Sequence, residues 1–143
     1  MDDKGDSIMA HLAPILLEEC SDEEVFWLAE IAKRSYYGES ARDLFERAAE
    51  REFQLWRVLH KEAKGIMATK LIQRKTGKEF WIEFLVGEGW AKYTKEFWDA
   101  CSTQAALADC RFIGVATVRP AIVKLMEREV GLKPVSVIFS QEV

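Results

Sequence analysis

Four features of the sequence are of a kind that can do chemistry. The first is Gly87-Glu88-Gly89, directly ahead of a helix-forming stretch that opens at Trp90. Glycines let a backbone come close to a ligand, and the free amides and dipole of a helix start suit an anion. A tight turn with no ligand is spelled the same way. The second is Glu83, a carboxylate inside the otherwise apolar run 80–86. A carboxyl in such surroundings is the type that burial tunes for proton transfer, unless it faces water or pairs with a lysine. The third is a set of hydroxyls: Tyr93, just inside the helix, and Tyr36-Tyr37. The fourth is Cys20, Cys101 and Cys110, which with His11 and His60 show no metal-like spacing and read as reduced thiols, with no metal site.

The elements that must position these groups follow from periodicity. An apolar segment over 11–19 reads as an edge strand, where Pro14 is tolerated, or as a first helical turn. Ser21 with Glu24 spells a capping box, and the helix it opens puts Val25, Leu28, Ala29 and Ala32 on one stripe. Ser40 with Asp43 opens a second helix, with Ala41, Leu44, Phe45, Ala48 and Ala49 facing in. The period then changes to strands over 53–60, 66–74 and 79–86, separated by polar turns. In the third of these, Phe80, Ile82, Phe84 and Val86 share one face, and Trp81, Glu83 and Leu85 the other. A long helix is expected over 90–108, burying Phe97, Cys101, Ala105 and Ala108. A short strand (111–117), a helix that starts at Arg119-Pro120 and is capped by Gly131, and a last strand from Val135 complete the chain. The fold class is therefore α/β, with a mixed sheet and helices on both faces. An antiparallel meander leads through a crossover helix to a parallel strand. Residues 1–10 read as a flexible tail and 11–143 as one domain.

This order, with its glycine-broken junction before a long helix, resembles the GNAT (Gcn5-related N-acetyltransferase) superfamily over residues 14–143. The best local match is Phe112-Ile113-Gly114-Val115-Ala116, a helix over 121–130, then Gly131-Leu132-Lys133-Pro134, where family members often end a helix in Gly-Phe-Lys-Pro. Gly65 matches the glycine that commonly opens the strand after the first hairpin. The resemblance implies acetyl-coenzyme A (acetyl-CoA) as cofactor and an amine as acceptor. It places the pyrophosphate along Leu85-Val86-Gly87-Glu88-Gly89-Trp90-Ala91-Lys92. The family pattern there is Gln/Arg-x-x-Gly-x-Gly/Ala. This chain has no preceding Gln or Arg, and Glu88 puts a negative charge where phosphates would lie, with Lys92 and Lys95 as compensation. Trp90 can stack on an adenine or plug the groove.

By the same resemblance, Glu83 is the candidate base that takes the amine proton. The acid is often a tyrosine of the fourth helix, but Leu125-Met126-Glu127-Arg128-Glu129-Val130 offers no hydroxyl, which leaves Tyr93 as candidate donor. Tyr36 and Tyr37 would edge the acceptor cleft.

Composition limits the alternatives. In 143 residues, 49% apolar and 31% charged, the net charge is −4 with the basic residues scattered, so a nucleic-acid partner is not expected. No apolar run reaches the roughly 18 residues of a membrane span, and the acidic start is unlike a signal peptide, so a cytoplasmic protein is expected, with no membrane partner. Two functions remain. One is a small N-acyltransferase. The other is a GNAT-like scaffold without catalysis that binds another protein, as small members do in or around the virion of tailed bacteriophages.

Overall fold

The protein was analysed as a computed structural model, which describes residues 9–33, 40–115 and 127–131. Tyr36, Tyr37, Arg119-Pro120, most of the expected fourth helix and the last strand lie outside the described residues. The expected edge strand is present as β1 (His11–Ile15), followed by a single 3-10 turn at Leu17–Glu19. Pro14 sits in β1, which among the described residues is an outer strand of the sheet, the place where a proline is tolerated.

Two helices follow, each opened by the expected capping box. In α1 (Asp22–Ala32) the Ser21 hydroxyl accepts from the Glu24 amide at 3.1 Å, and the Glu24 carboxylate accepts from the Ser21 amide at 2.8 Å. In α2 (Ala41–Ala49) Ser40 and Asp43 make the same exchange, at 3.1 Å in both directions. The buried stripe of α1 differs from the expected one. It runs through Glu24, Trp27, Leu28 and Ala32, whereas Val25 is exposed. The cause is Arg57, whose guanidinium donates to both Glu24 oxygens at 2.7 and 2.8 Å and turns that edge of the helix toward the sheet. Trp27 follows inward, one helical turn from Glu24.

The meander comprises β2 (Gln54–Leu59), β3 (Lys64–Arg74) and β4 (Gly77–Glu88). After β4 a 3-10 turn at Trp90–Lys92 leads into α3 (Thr94–Leu107), and then β5 (Phe112–Val115). The sheet order is β1-β2-β3-β4-β5, antiparallel throughout except for β4 and β5, which are parallel as a helical crossover requires. Residues 127–130 are helical, and Gly131 closes them at φ 75° with its amide on the Glu127 carbonyl.

Helices cover both faces. Under α1 and α2 lie Trp27, Leu28, Leu44, Phe53, Leu55, Ile66 and Ala68. Under α3 lie Trp56, Val58, Met67, Phe80, Ile82, Trp90, Phe97 and Cys101. Trp56 is held in place by a 2.8 Å bond from its indole to the buried Thr69 hydroxyl.

The Glu24–Arg57 pair has a pH signature. The Arg57 hydrogen bonds hold the Glu24 carboxyl below its ordinary value, against the opposing effect of burial. A carboxyl depressed in the folded state contributes stability that is complete above its unfolded pKa, near 4.3, and is lost as pH falls through the folded value. Glu24→Gln is expected to cost about 1–3 kcal/mol at pH 7. The gap between variant and native protein should narrow at pH 3, as read from urea midpoints at the two pH values.

Candidate functional site

The site begins with an irregularity in β4. Its pairing with β3 is regular from Arg74↔Gly77 to Thr69↔Ile82, but the next pair is Ala68↔Phe84. Glu83 is thus the extra residue of a β-bulge, which bends the strand and re-aims its side chains. The expected alternation fails here for that reason. Phe80 and Ile82 lie under α3, whereas Phe84 and Val86 pack on the α1/α2 side and Leu85 returns to the α3 side. Parallel pairing with β5 covers Glu79 to Ile82. Among the described residues, β4 beyond the bulge has β3 along one edge and no strand along the other. Such an edge can pair with an extended ligand through backbone groups.

Glu83 itself points to the α2 side. Its carboxylate is 3.1 Å from Lys70 Nζ and 4.0 Å from the Arg47 guanidinium. Arg47 also bonds Glu52 at 2.7 Å and lies over the Phe53 ring, which meets Phe84 edge-on. Lys70 was readable in principle, because strand pairing sets it opposite Trp81, on the face that Glu83 shares. Arg47 comes from a helix 36 residues earlier, and no local pattern connects it to β4.

The turn after β4 differs from the expected phosphate loop in two respects. The strand does not stop at Val86: Gly87 pairs with Gly65 and Glu88 with Lys64, so both belong to the ladder. Two facing glycines allow this, since a Cβ on Gly87 would lie 2.0 Å from the Lys64 carbonyl oxygen. The α-helix does not start at Trp90 either. Gly89, at φ 87°, turns the chain against the Glu62 carbonyl, the 3-10 turn intervenes, and α3 opens only at Thr94. Trp90 is buried, its indole N–H donating to the Lys64 carbonyl at 3.0 Å and its ring against His60 and Phe97.

Of the ionic groups near the turn, Lys64 and Lys95 are paired, whereas Lys92, at the end of the 3-10 turn, is exposed and has no ion pair among the described residues. Lys64 bonds Glu23 at 2.9 Å, which raises its pKa, and Glu88 adds to the effect. Lys95 is paired with Asp99 at 3.1 Å. The Tyr93 hydroxyl donates to the Glu62 carboxylate, and that bond raises the phenol pKa. The expected donor segment and Tyr93 therefore come together at one end of β4. Glu83 sits at the bulge, four residues back along the strand from Gly87.

No protein-family model and no curated protein sequence matches the chain. Solved structures do. An aminoglycoside acetyltransferase from an uncultured soil metagenomic sample, in complex with sisomicin, superposes with a TM-score of 0.62 at 10% identity over 94% of this chain and 97% of that one. A Trypanosoma brucei acetyltransferase gives 0.60 at 12% identity, covering 94% and 99%. An integron cassette protein from the mobile metagenome of V. cholerae gives 0.61 at 12% identity, covering 95% and 94%. The chain has the fold of the GNAT acetyltransferases, as its element order implied.

The facing glycines make a direct test of this geometry. Gly87→Ala drives a methyl into the Lys64 backbone, and Gly65→Ala puts one 2.8 Å from both Trp90 Nε1 and the Val86 carbonyl oxygen. Each should lower unfolding free energy by about 1–3 kcal/mol or more, measured by denaturant titration. An unperturbed Gly87→Ala protein would mean that the two strands do not meet there.

Proposed function

We propose that the chain is a small N-acyltransferase that takes an acyl group from a thioester donor, acetyl-CoA being the representative one, and passes it to an amine. The observation that carries this reading is the bulge at Glu83, next to Ile82, the last residue of β4 that pairs with β5 among the described residues. Among the described residues no strand pairs with the outer edge of Phe84 to Glu88, which suits an extended donor, with a carboxylate at the bulge.

The residues fit one end of that donor better than the other. The β4 edge suits the extended, amide-bearing arm that carries the thioester. The turn at Gly89 does not suit a pyrophosphate, because its glycines serve internal packing and Glu88 is acidic. When bound, the donor supplies an activated acyl carbon. Glu83, ion-paired with Lys70 and near Arg47, is the group assigned here to accept the proton that the amine must lose. Tyr93 already gives its hydrogen bond to Glu62 and has a raised pKa, so it is a poor donor to a leaving thiolate. Aminoglycoside acetyltransferases among the structures of like fold support an amine as acceptor.

A second reading has its own observation. Trp90 fills the turn, and Glu88 charges it negatively, as expected of a scaffold that has given up catalysis and binds another protein, including one of a phage particle. Acetyl-CoA separates the two readings. Ligand at a hundred times its dissociation constant adds about 2.7 kcal/mol to stability and should raise the melting temperature by several degrees. No shift at millimolar acetyl-CoA favours the binding protein. With an acceptor in hand, Glu83→Gln should reduce turnover about a hundredfold or more while the protein stays folded, the usual contribution of a general base. Unchanged turnover would remove Glu83 from the chemistry.

A further inference from the structure

A general base must lie within about 2.6–3.2 Å of the amine whose proton it takes. One amine already meets that condition at Glu83, and it belongs to the protein: Lys70 Nζ stands 3.1 Å from the carboxylate. Lys70 leaves β3 opposite Trp81, so the ladder fixes its backbone against β4. Its side chain is more sheltered than those of the other paired lysines among the described residues. It is 34% exposed, against 71% for Lys33, 56% for Lys64 and 66% for Lys95. The second Glu83 oxygen faces the Arg47 guanidinium at 4.0 Å, so the carboxylate keeps a cation nearby when Lys70 loses its charge. An ion pair made for stability alone needs no particular cation. This one puts a primary amine, the group that the proposed reaction consumes, in the acceptor's place at the candidate base.

We infer that Lys70 is an acyl acceptor within its own chain, a modification site served by Glu83. The inference rests on the acyltransferase reading above. Glu83 takes a proton from the Lys70 ammonium, and the free amine attacks the carbon of an acyl thioester. The bond formed is Nζ–C and the bond broken is C–S. Of the two protons that the nitrogen loses, one completes the departing thiol and the other passes through Glu83 to water. No oxidant, reductant or further reactant enters. The product is an uncharged amide, and its formation ends the ion pair that occupies Glu83 in the unmodified chain.

Incubation of the whole protein with acetyl-CoA at neutral pH, with acetylation followed lysine by lysine in peptide mass spectra, tests this. Lys70 is expected to be labelled about tenfold faster, or more, than Lys33, Lys64 and Lys95, because its amine is held at the base and theirs are not. The first-order rate constant at Lys70 should not change with protein concentration, as transfer within one chain requires. Glu83→Gln should slow labelling of Lys70 about a hundredfold and leave the other three lysines unaltered. Labelling of Lys70 no faster than of those three would overturn the inference, and that comparison needs no variant to fold. Equal labelling of Lys70 in a folded Glu83→Gln protein would overturn it as well. If acetyl-CoA raises the melting temperature while Lys70 stays unmodified, the inference falls and the acyltransferase reading stands. If acetyl-CoA at millimolar concentration neither shifts the melting temperature nor labels Lys70, both fall.

Discussion

An antiparallel ladder that gains one residue on one strand must exchange faces beyond that point, because side chains alternate with a period of two. In β4 that residue is Glu83. Everything downstream on the strand depends on the exchange. Phe84 meets Phe53 under α2, while Leu85 reaches the core under α3. Gly87 arrives directly opposite Gly65. Without the bulge Phe84 and Val86 would point to the α3 side, and the glycines would fall out of step.

The bulge also sets an apolar ring beside the charged groups of the groove. Glu83 lies on that face by ordinary alternation, beside Lys70 of the neighbouring strand and Arg47 of α2, and the bulge adds Phe84 to the same face. Arg47 in turn joins Glu52 and the Phe53 ring, so the charge at the head of the groove is braced by the α2 layer. The other side of the same layer is anchored through Glu24 and Arg57. There the two-oxygen pairing decides the rotation of α1 and so which of its apolar residues are core.

At the far end of β4 the protein has spent its small residues on itself. In the GNAT pattern a glycine-containing junction leaves room for a ligand's phosphates. Here Gly65, Gly87 and Gly89 let three stretches of backbone and one tryptophan pack against each other. One sequence feature, Gly-x-Gly before a helix, therefore also serves close packing of backbone here, which only the neighbouring chain reveals.

What the sequence determined by itself was whatever depends on near neighbours. The Ser21–Glu24 and Ser40–Asp43 caps each close within three residues, and both helices start where those caps place them. The three-strand meander and the parallel β5 were equally legible, because short polar turns enforce antiparallel neighbours and a helical crossover enforces a parallel one. The candidate groove was legible as a place on the chain, but its character was not. That Glu83 is a bulge residue held by Lys70 and Arg47, that α1 faces in with Trp27 instead of Val25, and that β4 runs on through Gly87 and Glu88 all depend on partners far away in the chain. Side-chain periodicity carries no information about which distant strand supplies one residue fewer. That mismatch exists only once β3 and β4 are paired, and so the tertiary structure alone decided which faces Phe84, Leu85 and Val86 take.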